Sequence, residues 1–171
     1  MKNLEIKVRL NSLKDVEGLL DFADRKEVLN QKDTYFLIGD KRLKTREEKK
    51  YDELIYYIRK NEKKSKESEY FVFPIYHKLM PFVKKVLGFM FGEKVFVTKK
   101  RNLFIYKNTR IHLDEVSNLG DFLELETVIN NNFDYKYFLD QHEDVKNKLA
   151  LNKYESISKS YSDLSILKKE N

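Results

Sequence analysis

Strict alternation of apolar and charged residues marks the start of the chain. Residues 4–10 read Leu-Glu-Ile-Lys-Val-Arg-Leu, so one face is apolar and the other carries Glu5, Lys7 and Arg9. A period of two residues is typical of a β-strand with one buried face. Apolar, aromatic and β-branched residues predict further strands. These segments are residues 31–38, 42–47, 54–60, 70–76, 94–100, 103–106 with 110–114, and 122–128.

Helical spacing of apolar residues appears in three parts of the chain. It predicts helices over residues 15–25 and 81–91, with Pro81 in the first turn of the second, and a helical end over about 133–168. Residues 60–69 are almost all Lys, Glu, Ser and Asn, which predicts a solvated hairpin tip. About 40 C-terminal residues are too few for a separate core, so we expect one domain over residues 1–171, with the helical end packed on the strands.

Composition removes several classes of protein and site. The 41% of hydrophobic residues, with 11 Tyr and 12 Phe, exclude a disordered chain. The absence of cysteine excludes a disulfide scaffold, a thiolate zinc site and a cysteine nucleophile. No apolar run approaches the ~18 residues of a membrane span, so we expect a soluble cytoplasmic protein. The five glycines are too widely spaced for a Gly-rich phosphate loop, so side chains would have to bind any phosphate.

The polar faces of the predicted strands are almost entirely ionic. They carry eight cations, Lys7, Arg9, Arg42, Lys44, Arg46, Arg59, Lys99 and Arg101, and four carboxylates, Glu5, Asp114, Glu124 and Glu126. One interpretation is a one-sided sheet whose charges pair in solvent, at about 0.2–1 kcal/mol per pair. The other is a closed barrel whose ionic faces line a cavity for a polyanion. Arginine outnumbers lysine at these positions, which favours phosphate binding.

The carboxylates need a role in the second interpretation, because they would repel a phosphate. A hard divalent cation binds carboxylate and phosphate oxygens together. Glu124 and Glu126 lie two residues apart and face the same way on one predicted strand. We therefore expect them to hold Mg²⁺ or Mn²⁺, with Glu5 and Asp114 nearby.

Several blocks of sequence, taken in order, resemble the CYTH superfamily. This group contains class IV adenylyl cyclases and thiamine triphosphatases and is also called the triphosphate tunnel metalloenzymes. The blocks are Asn3-Leu4-Glu5-Ile6-Lys7, Gln31-Lys32-Asp33-Thr34-Tyr35-Phe36, Arg42-Leu43-Lys44-Thr45-Arg46-Glu47, Leu54-Ile55-Tyr56-Tyr57-Ile58-Arg59, Val97-Thr98-Lys99-Lys100-Arg101, His112-Leu113-Asp114-Glu115-Val116-Ser117-Asn118-Leu119-Gly120 and Phe122-Leu123-Glu124-Leu125-Glu126. The tail Ser160-Tyr161-Ser162-Asp163-Leu164 is similar to the closing motif of the class IV cyclase branch.

The resemblance implies an α+β fold, with an eight-stranded antiparallel β-barrel over about residues 3–128 and helices outside it. It implies a nucleoside triphosphate or another triphosphate as substrate, and Mg²⁺ or Mn²⁺ as cofactor. The implied phosphate ligands are Lys7, Arg9, Arg42, Lys44, Arg46, Arg59, Lys99 and Arg101. The implied metal ligands are Glu5, Asp114, Glu124 and Glu126, and the implied catalytic residues are Lys7, Asp114 and Arg59.

One position departs from the family signature Glu-x-Glu-x-Lys. Asn3 stands where the first glutamate is expected, while Glu5 and Lys7 match the rest. An asparagine carbonyl can bind a metal but brings no charge, so one of two metal sites would be weakened or rearranged. A homodimer fits the resemblance, and nucleic acid is not an expected partner, because no aromatic-basic signature of a known RNA module occurs.

Three functions remain open at this point. A cyclase converts ATP to cyclic AMP and pyrophosphate, and a triphosphatase hydrolyses thiamine triphosphate, inorganic triphosphate or a nucleotide. A binding module would grip polyphosphate or a 5′-triphosphate without turnover. We expect His77 and His142 to be surface or structural residues, while a tunnel role and a structural role both remain open for His112.

Overall fold

A closed antiparallel barrel forms the body of the protein. The computed structural model describes residues 2–39, 41–59 and 65–170, apart from the side chains of Arg59 and Lys66. Within these residues lie the strands β1 (Lys2–Arg9), β2 (Asp24–Phe36), β3 (Arg42–Glu47), β4 (Asp52–Arg59), β5 (Lys66–Ile75), β6 (Glu93–Tyr106), β7 (Thr109–Val116) and β8 (Gly120–Ile129). Their order around the barrel is β1-β5-β4-β3-β2-β6-β7-β8. The predicted eight-stranded antiparallel barrel is therefore confirmed.

Four α-helices of the described chain lie outside the barrel. They are α1 (Lys14–Glu17), α2 (Met80–Phe91), α3 (Tyr135–Lys148) and α4 (Tyr161–Glu170). The prediction of a helix over residues 15–25 is wrong beyond Glu17, because the chain turns at Gly18 and Asp24 already pairs with Ile105 of β6. None of the described helices is long and apolar enough to cross a membrane.

The charged run 60–69 divides into two parts. Residues 60–64 lie outside the described part of the chain, so the predicted hairpin tip is not described there. From Lys66 onward the tip prediction is wrong, because the chain is already in β5. There Ser68 pairs with Asn3 of β1 and with Arg59 of β4. Pairing on both sides makes the polar run part of the wall, with the Ser68 side chain buried.

β6 is a single strand where the sequence predicted two. It pairs with β2 from Glu93 to Ile105 and with β7 from Lys99 to Tyr106. The two ladders overlap from Lys99 to Ile105, and this overlap includes Arg101 and Asn102 at the predicted break between the strands. Backbone pairing on both edges keeps the strand continuous through this polar stretch. Apolar periodicity alone does not predict this continuity.

The main apolar core lies outside the barrel. The outward faces of β1, β7 and β8 pack with α1 and α3 in a cluster that includes Val8, Leu113, Leu125, Val145 and Leu149. Each of these side chains is at most 1% exposed. Since side chains alternate across a strand, burying the apolar faces under helices turns the opposite, ionic faces into the barrel.

A second cluster closes one end of the barrel. Tyr161, at the start of α4, packs with Phe122, Val97 and Val116, and its ring meets that of Phe122 edge-on at 5.1 Å. An eight-stranded barrel is just wide enough to be filled by side chains or to hold one small ligand. The fold therefore provides an interior that is ionic and closed at one end by the C-terminal helix.

Candidate functional site

A cavity of about 340 Å³ lies inside the barrel. All eight strands contribute to its lining, together with Tyr161 of α4, and five predicted phosphate ligands are among the lining residues: Lys7, Lys44, Arg46, Lys99 and Arg101. A larger groove of about 680 Å³ shares Gln31, Glu48 and Lys99 with the cavity, but most of its lining comes from outward-facing strand positions and loops. Buried cationic side chains line the cavity, which is therefore the candidate functional site.

Asp33 of β2 organises three of the cations. Its carboxylate accepts from Lys44 Nζ at 2.7 Å and from Arg46 Nε and Nη2 at 2.8 and 3.0 Å, and it lies 3.7 Å from Lys99 Nζ. Burial alone would raise the pKa of Asp33, but Arg46, Lys44 and Lys99 hold it well below its usual value. One carboxylate thus faces three cations, which leaves this cluster with capacity for a further anion.

Burial disfavours the charged form of the two lysines in this cluster. Burial, with the charge of Arg46 beside it, lowers the pKa of Lys44 to about 8. Burial and the charge of Arg101 lower the pKa of Lys99 to about 7. An anion bound between them would raise both pKa values toward the usual value of lysine, because a nearby negative charge favours the ammonium form.

Arg101 of β6 is fixed by a second set of acids. Its Nε and Nη2 donate to the two oxygens of Asp114, both at 2.6 Å, and Nη2 also donates to Glu124 at 2.9 Å. Tyr161 donates its hydroxyl proton to Asp114 at 2.8 Å. Burial would raise the pKa of Asp114, but Arg101 outweighs it and lowers the pKa to about 2. Asp114 is wholly buried behind Arg101 and does not line the cavity.

Lys7 of β1 lies between the acids and the C-terminal tail. Its Nζ is 3.3 Å from Glu124 Oε1 and 3.9 Å from the centre of the Tyr161 ring. Lys99 Nζ faces the same ring at 5.1 Å. Cations over an aromatic face are attracted by the ring quadrupole. Tyr161 therefore holds two predicted phosphate ligands at the closed end of the cavity.

His112, Glu124 and Glu126 form a group that could hold a metal ion, with one ligand atom from each residue lying within 4.8 Å of the others. His112 Nδ1 is 3.7 Å from Glu126 Oε1 and has no hydrogen-bond partner among the described residues. Burial and the charge of Arg101 lower the pKa of His112 to about 4, so its neutral ring has a lone pair to donate. The residues present therefore fit a divalent cation.

β1 brings two more side-chain oxygens to this region. Glu5 lies opposite Glu126 in the β1–β8 pairing, and its Oε1 accepts from Ser68 Oγ. Asn3 lines the cavity, and its Oδ1 is buried without a hydrogen-bond partner among the described residues. β1, which carries the Glu-x-Glu-x-Lys signature positions, therefore pairs directly with β8, which carries Glu124 and Glu126.

Three predicted phosphate ligands are not among the described residues that line the cavity. Arg9 ends β1, where its Nη1 donates to Leu119 O at 2.9 Å and its guanidinium lies 4.8 Å from the Phe122 ring. Arg42 Nη2 donates to Asp163 of α4 at 3.3 Å. The side chain of Arg59 lies outside the described part of the structure.

Comparison with known proteins places the chain in a family. The family model of the CYTH domain matches residues 1–161. The chain belongs to the CYTH domain family. That family binds triphosphates and is metal-dependent. No curated protein sequence matches this chain.

Solved structures of low sequence identity share the fold of this CYTH domain. The PH1012 protein from Pyrococcus horikoshii OT3 is 23% identical, with a TM-score of 0.80 over 95% of this chain and 98% of that one. A candidate adenylate cyclase from Vibrio parahaemolyticus is 15% identical, with a TM-score of 0.70 over 94% and 95%. A chain of the Schizosaccharomyces pombe Mediator head module is 13% identical, with a TM-score of 0.65 over 88% and 96%. These likenesses establish the fold alone.

The CYTH domain also contains site residues that the sequence analysis did not assign. Gln31, Asp33 and Tyr35 alternate along β2 and face inward, so sorting this strand by parity would have found them. Arg110 and Tyr70 also line the cavity. No local sequence pattern predicts the contact between Tyr161 and Asp114, because the two residues are 47 positions apart in the chain.

Proposed function

We propose that this CYTH domain is a metal-dependent enzyme that processes a triphosphate inside its barrel. The observation that carries the proposal is the convergence of Lys7, Lys44, Arg46, Lys99 and Arg101 on one cavity beside a neutral imidazole and two glutamates. Buried cations are stable only when they are paired and hydrogen-bonded. A bound triphosphate would supply several oxygens to cations that now share few carboxylates.

The cavity residues divide into two sets by the chemistry that they suit. Lys44, Arg46 and Lys99 surround Asp33, and they would bind phosphate oxygens by charge-assisted hydrogen bonds. Lys7 and Arg101 both contact Glu124, so they would bind phosphate oxygens next to the metal ligands. The first set would hold one part of the triphosphate chain and the second set the part nearest the metal.

The metal ligands in this proposal are His112, Glu124 and Glu126, with Glu5 beside them on β1. The ion would be Mg²⁺ or Mn²⁺, and when bound it would neutralise phosphate charge as that charge shifts in the reaction. Asp114 acts as a positioning residue, since both of its oxygens already accept from Arg101. Preorganised cations aimed at the phosphates stabilise the charge that develops in the transition state.

For the reaction itself we favour cyclisation of ATP to cyclic AMP and pyrophosphate. The support is the tail motif, because Ser160 and Tyr161 line the cavity and Asp163 joins the tail to the barrel through Arg42 and Lys94. In this reaction the ribose 3′-hydroxyl attacks the α-phosphorus, the bond from that phosphorus to the α,β-bridging oxygen breaks, pyrophosphate leaves with that oxygen, and the hydroxyl proton passes to water.

Product analysis tests the proposal. Purified protein with Mg²⁺ or Mn²⁺ is incubated separately with ATP, thiamine triphosphate and inorganic triphosphate, and the products are separated by chromatography. Cyclic AMP from ATP is the expected result. Release of phosphate without cyclic AMP would replace the cyclase by a triphosphatase, and tight triphosphate binding without either product would leave a binding module.

A further inference from the structure

The wall of the cavity is divided into an ionic part and an apolar part. β4 and β5 contribute Ile55, Tyr57, Tyr70 and Val72, which are paired across the two strands as Ile55 with Val72 and Tyr57 with Tyr70. In the strand order of the closed ring, β4 lies across from β7 and β5 across from β6. The aromatic wall of these four residues therefore faces the strands that carry Arg101 and His112.

The aromatic wall has the shape and exposure of a binding surface. The rings of Tyr57 and Tyr70 stack with centroids 5.3 Å apart and planes 25° from parallel. Ile55 is almost completely buried, whereas Val72 is 44% exposed although it lines the cavity. The wall thus runs from the interior to a part of the cavity that solvent reaches, so a ring entering the cavity can contact it.

We propose that the aromatic wall binds the organic group of the substrate, which makes the substrate an organic triphosphate with a planar ring and not inorganic triphosphate. This inference rests on the proposed function. Inorganic triphosphate is polar on every side, so contact with an apolar wall would remove water from its oxygens without providing hydrogen bonds. A heteroaromatic ring gains by stacking on a tyrosine pair, while its phosphates reach the ionic wall.

Binding measurements on variants of three consecutive residues of β5 test this proposal. Isothermal titration in Mn²⁺ compares inorganic triphosphate with methylene-bridged ATP analogues and thiamine triphosphate, for wild type, Tyr70→Ala and Phe71→Ala. Phe71 is the matched control, because it neighbours Tyr70 in β5, is 51% exposed and contacts Tyr56 instead of the cavity. Val72→Asn is a second variant at an exposed position, which makes the wall polar without adding charge and avoids dependence on the fold of Tyr70→Ala.

We expect wild type to bind at least one organic triphosphate about tenfold or more tightly than inorganic triphosphate. Tyr70→Ala and Val72→Asn should remove most of that preference and leave inorganic triphosphate binding within about twofold, while Phe71→Ala should behave as wild type. Equal binding of the two classes in wild type, or equal losses for both in the variants, would overturn the inference alone. Failure of every triphosphate to bind would overturn the proposed function as well.

A separate observation concerns the outer surface of α2. Met80 is buried, and Val83 and Leu87 are half-buried, so they form the side of α2 that the domain covers. The opposite side is also apolar, with exposed fractions of 67% for Phe82, 37% for Val86, 93% for Phe89 and 61% for Met90. A surface helix of a globular protein normally has one apolar side, which is buried, and a polar side toward solvent. α2 is covered on one side only.

The exposed apolar surface continues beyond the helix. Tyr76 is 83% exposed and Leu79 is 52% exposed just before α2, and Phe96 of β6 lies beside the helix with Lys84 Nζ 5.8 Å from its ring. With the four outer residues of α2 these side chains expose on the order of 1,000 Å² of mostly apolar surface. The largest apolar patch of a typical monomer is about 300–600 Å², and a stable interface buries about 800 Å² per partner. We call these seven residues the α2 patch.

We infer that the α2 patch binds a second copy of this chain, with two α2 helices antiparallel across a two-fold axis. A two-fold interface brings the same surface of both copies together, so an apolar stripe along one helix meets its own equivalent. The charges beside the stripe suit this arrangement, because exposed Lys85 lies in the middle of α2 and exposed Glu93 just beyond its C-terminal end. Antiparallel pairing brings Lys85 of one copy toward Glu93 of the other.

Sedimentation equilibrium tests the second inference on the full chain. Wild type, Phe89→Glu and Phe82→Glu are compared with Leu19→Glu, a control at a 43% exposed leucine outside the α2 patch. We expect wild type and Leu19→Glu to be dimers at micromolar concentration and the two patch variants to be monomers, with a dissociation constant raised at least a hundredfold. A monomeric wild type at 100 µM would overturn the inference. Binding of monomeric wild type to lipid vesicles, lost in Phe89→Glu, would assign the patch to a membrane surface instead.

Discussion

Replacement of Asp33 by asparagine tests the electrostatic account of the cavity most severely. Asp33 is the carboxylate shared by Lys44, Arg46 and Lys99, and all four side chains are buried or nearly so. Asparagine keeps the size of the side chain and removes its charge, so three cations face one another without their counter-charge. Removing one partner of a buried ion pair destabilises a protein by about 3–5 kcal/mol.

The expected effect of Asp33→Asn can be followed by thermal unfolding. For a domain of this size about 1 kcal/mol corresponds to about 2–4 °C, so the melting temperature should fall by about 6–20 °C. The pKa values of Lys44 and Lys99 are about 8 and 7, so at pH 9 both can lose their protons and relieve the repulsion. The loss of stability should therefore be larger at pH 6 than at pH 9.

Triphosphate should reverse part of this loss. Stabilisation by a ligand increases with the ratio of its concentration to its dissociation constant, and in Asp33→Asn the triphosphate no longer competes with a carboxylate for the three cations. Its thermal shift should therefore be larger for Asp33→Asn than for wild type. Asp24→Asn is the control, because Asp24 pairs with Lys26 in solvent. An unchanged melting temperature, or no larger shift with triphosphate, would refute the reasoning.

Three further predictions concern turnover, the metal and pH. Lys7→Ala and Glu126→Ala should abolish turnover with unchanged circular dichroism, and near wild-type rates in either would contradict their assignment to phosphate and metal. His112→Ala should weaken Mn²⁺ binding about tenfold or more in an electron paramagnetic resonance titration, and unchanged affinity would remove His112 from the ligands. Burial, with Lys146 nearby, lowers the pKa of His142 to about 4, so its contribution is present above pH 6.5 and is lost as the pH falls toward 4, by at most about 3 kcal/mol. His142→Gln should flatten this part of the stability profile in urea unfolding, and an identical slope would contradict it.

The strands could be predicted where one face is uniformly apolar. The alternation at Leu4, Ile6 and Val8 gave β1, and the same period identified Glu124 and Glu126 as neighbours on one face. The start of β2 could not be found in this way, because Asp24 and Arg25 lie at the barrel rim without a buried apolar face. Their position is determined by pairing with Ile105 and Phe104, which is a long-range contact.

The same limit applied to the site: the orientation of side chains could be predicted from single strands, but the contacts between strands could not. Parity along single strands predicted the inward cations Lys44, Lys99 and Arg101, since strand geometry alone orients them. Parity could not show that Arg9 reaches Leu119, because the strand ends there and the barrel wall no longer directs the side chain. Nor could it show which acid neutralises which cation, since the Asp33 and Asp114 contacts depend on register between strands.

A crystal structure of the protein soaked with triphosphate and Mn²⁺ would test the central claim most directly. The account predicts triphosphate density inside the barrel, within hydrogen-bond distance of Lys44, Arg46 and Lys99, and an anomalous Mn²⁺ peak beside Glu124 and Glu126. Triphosphate bound only in the outer groove, with the interior ion pairs of Asp33 intact, would contradict it.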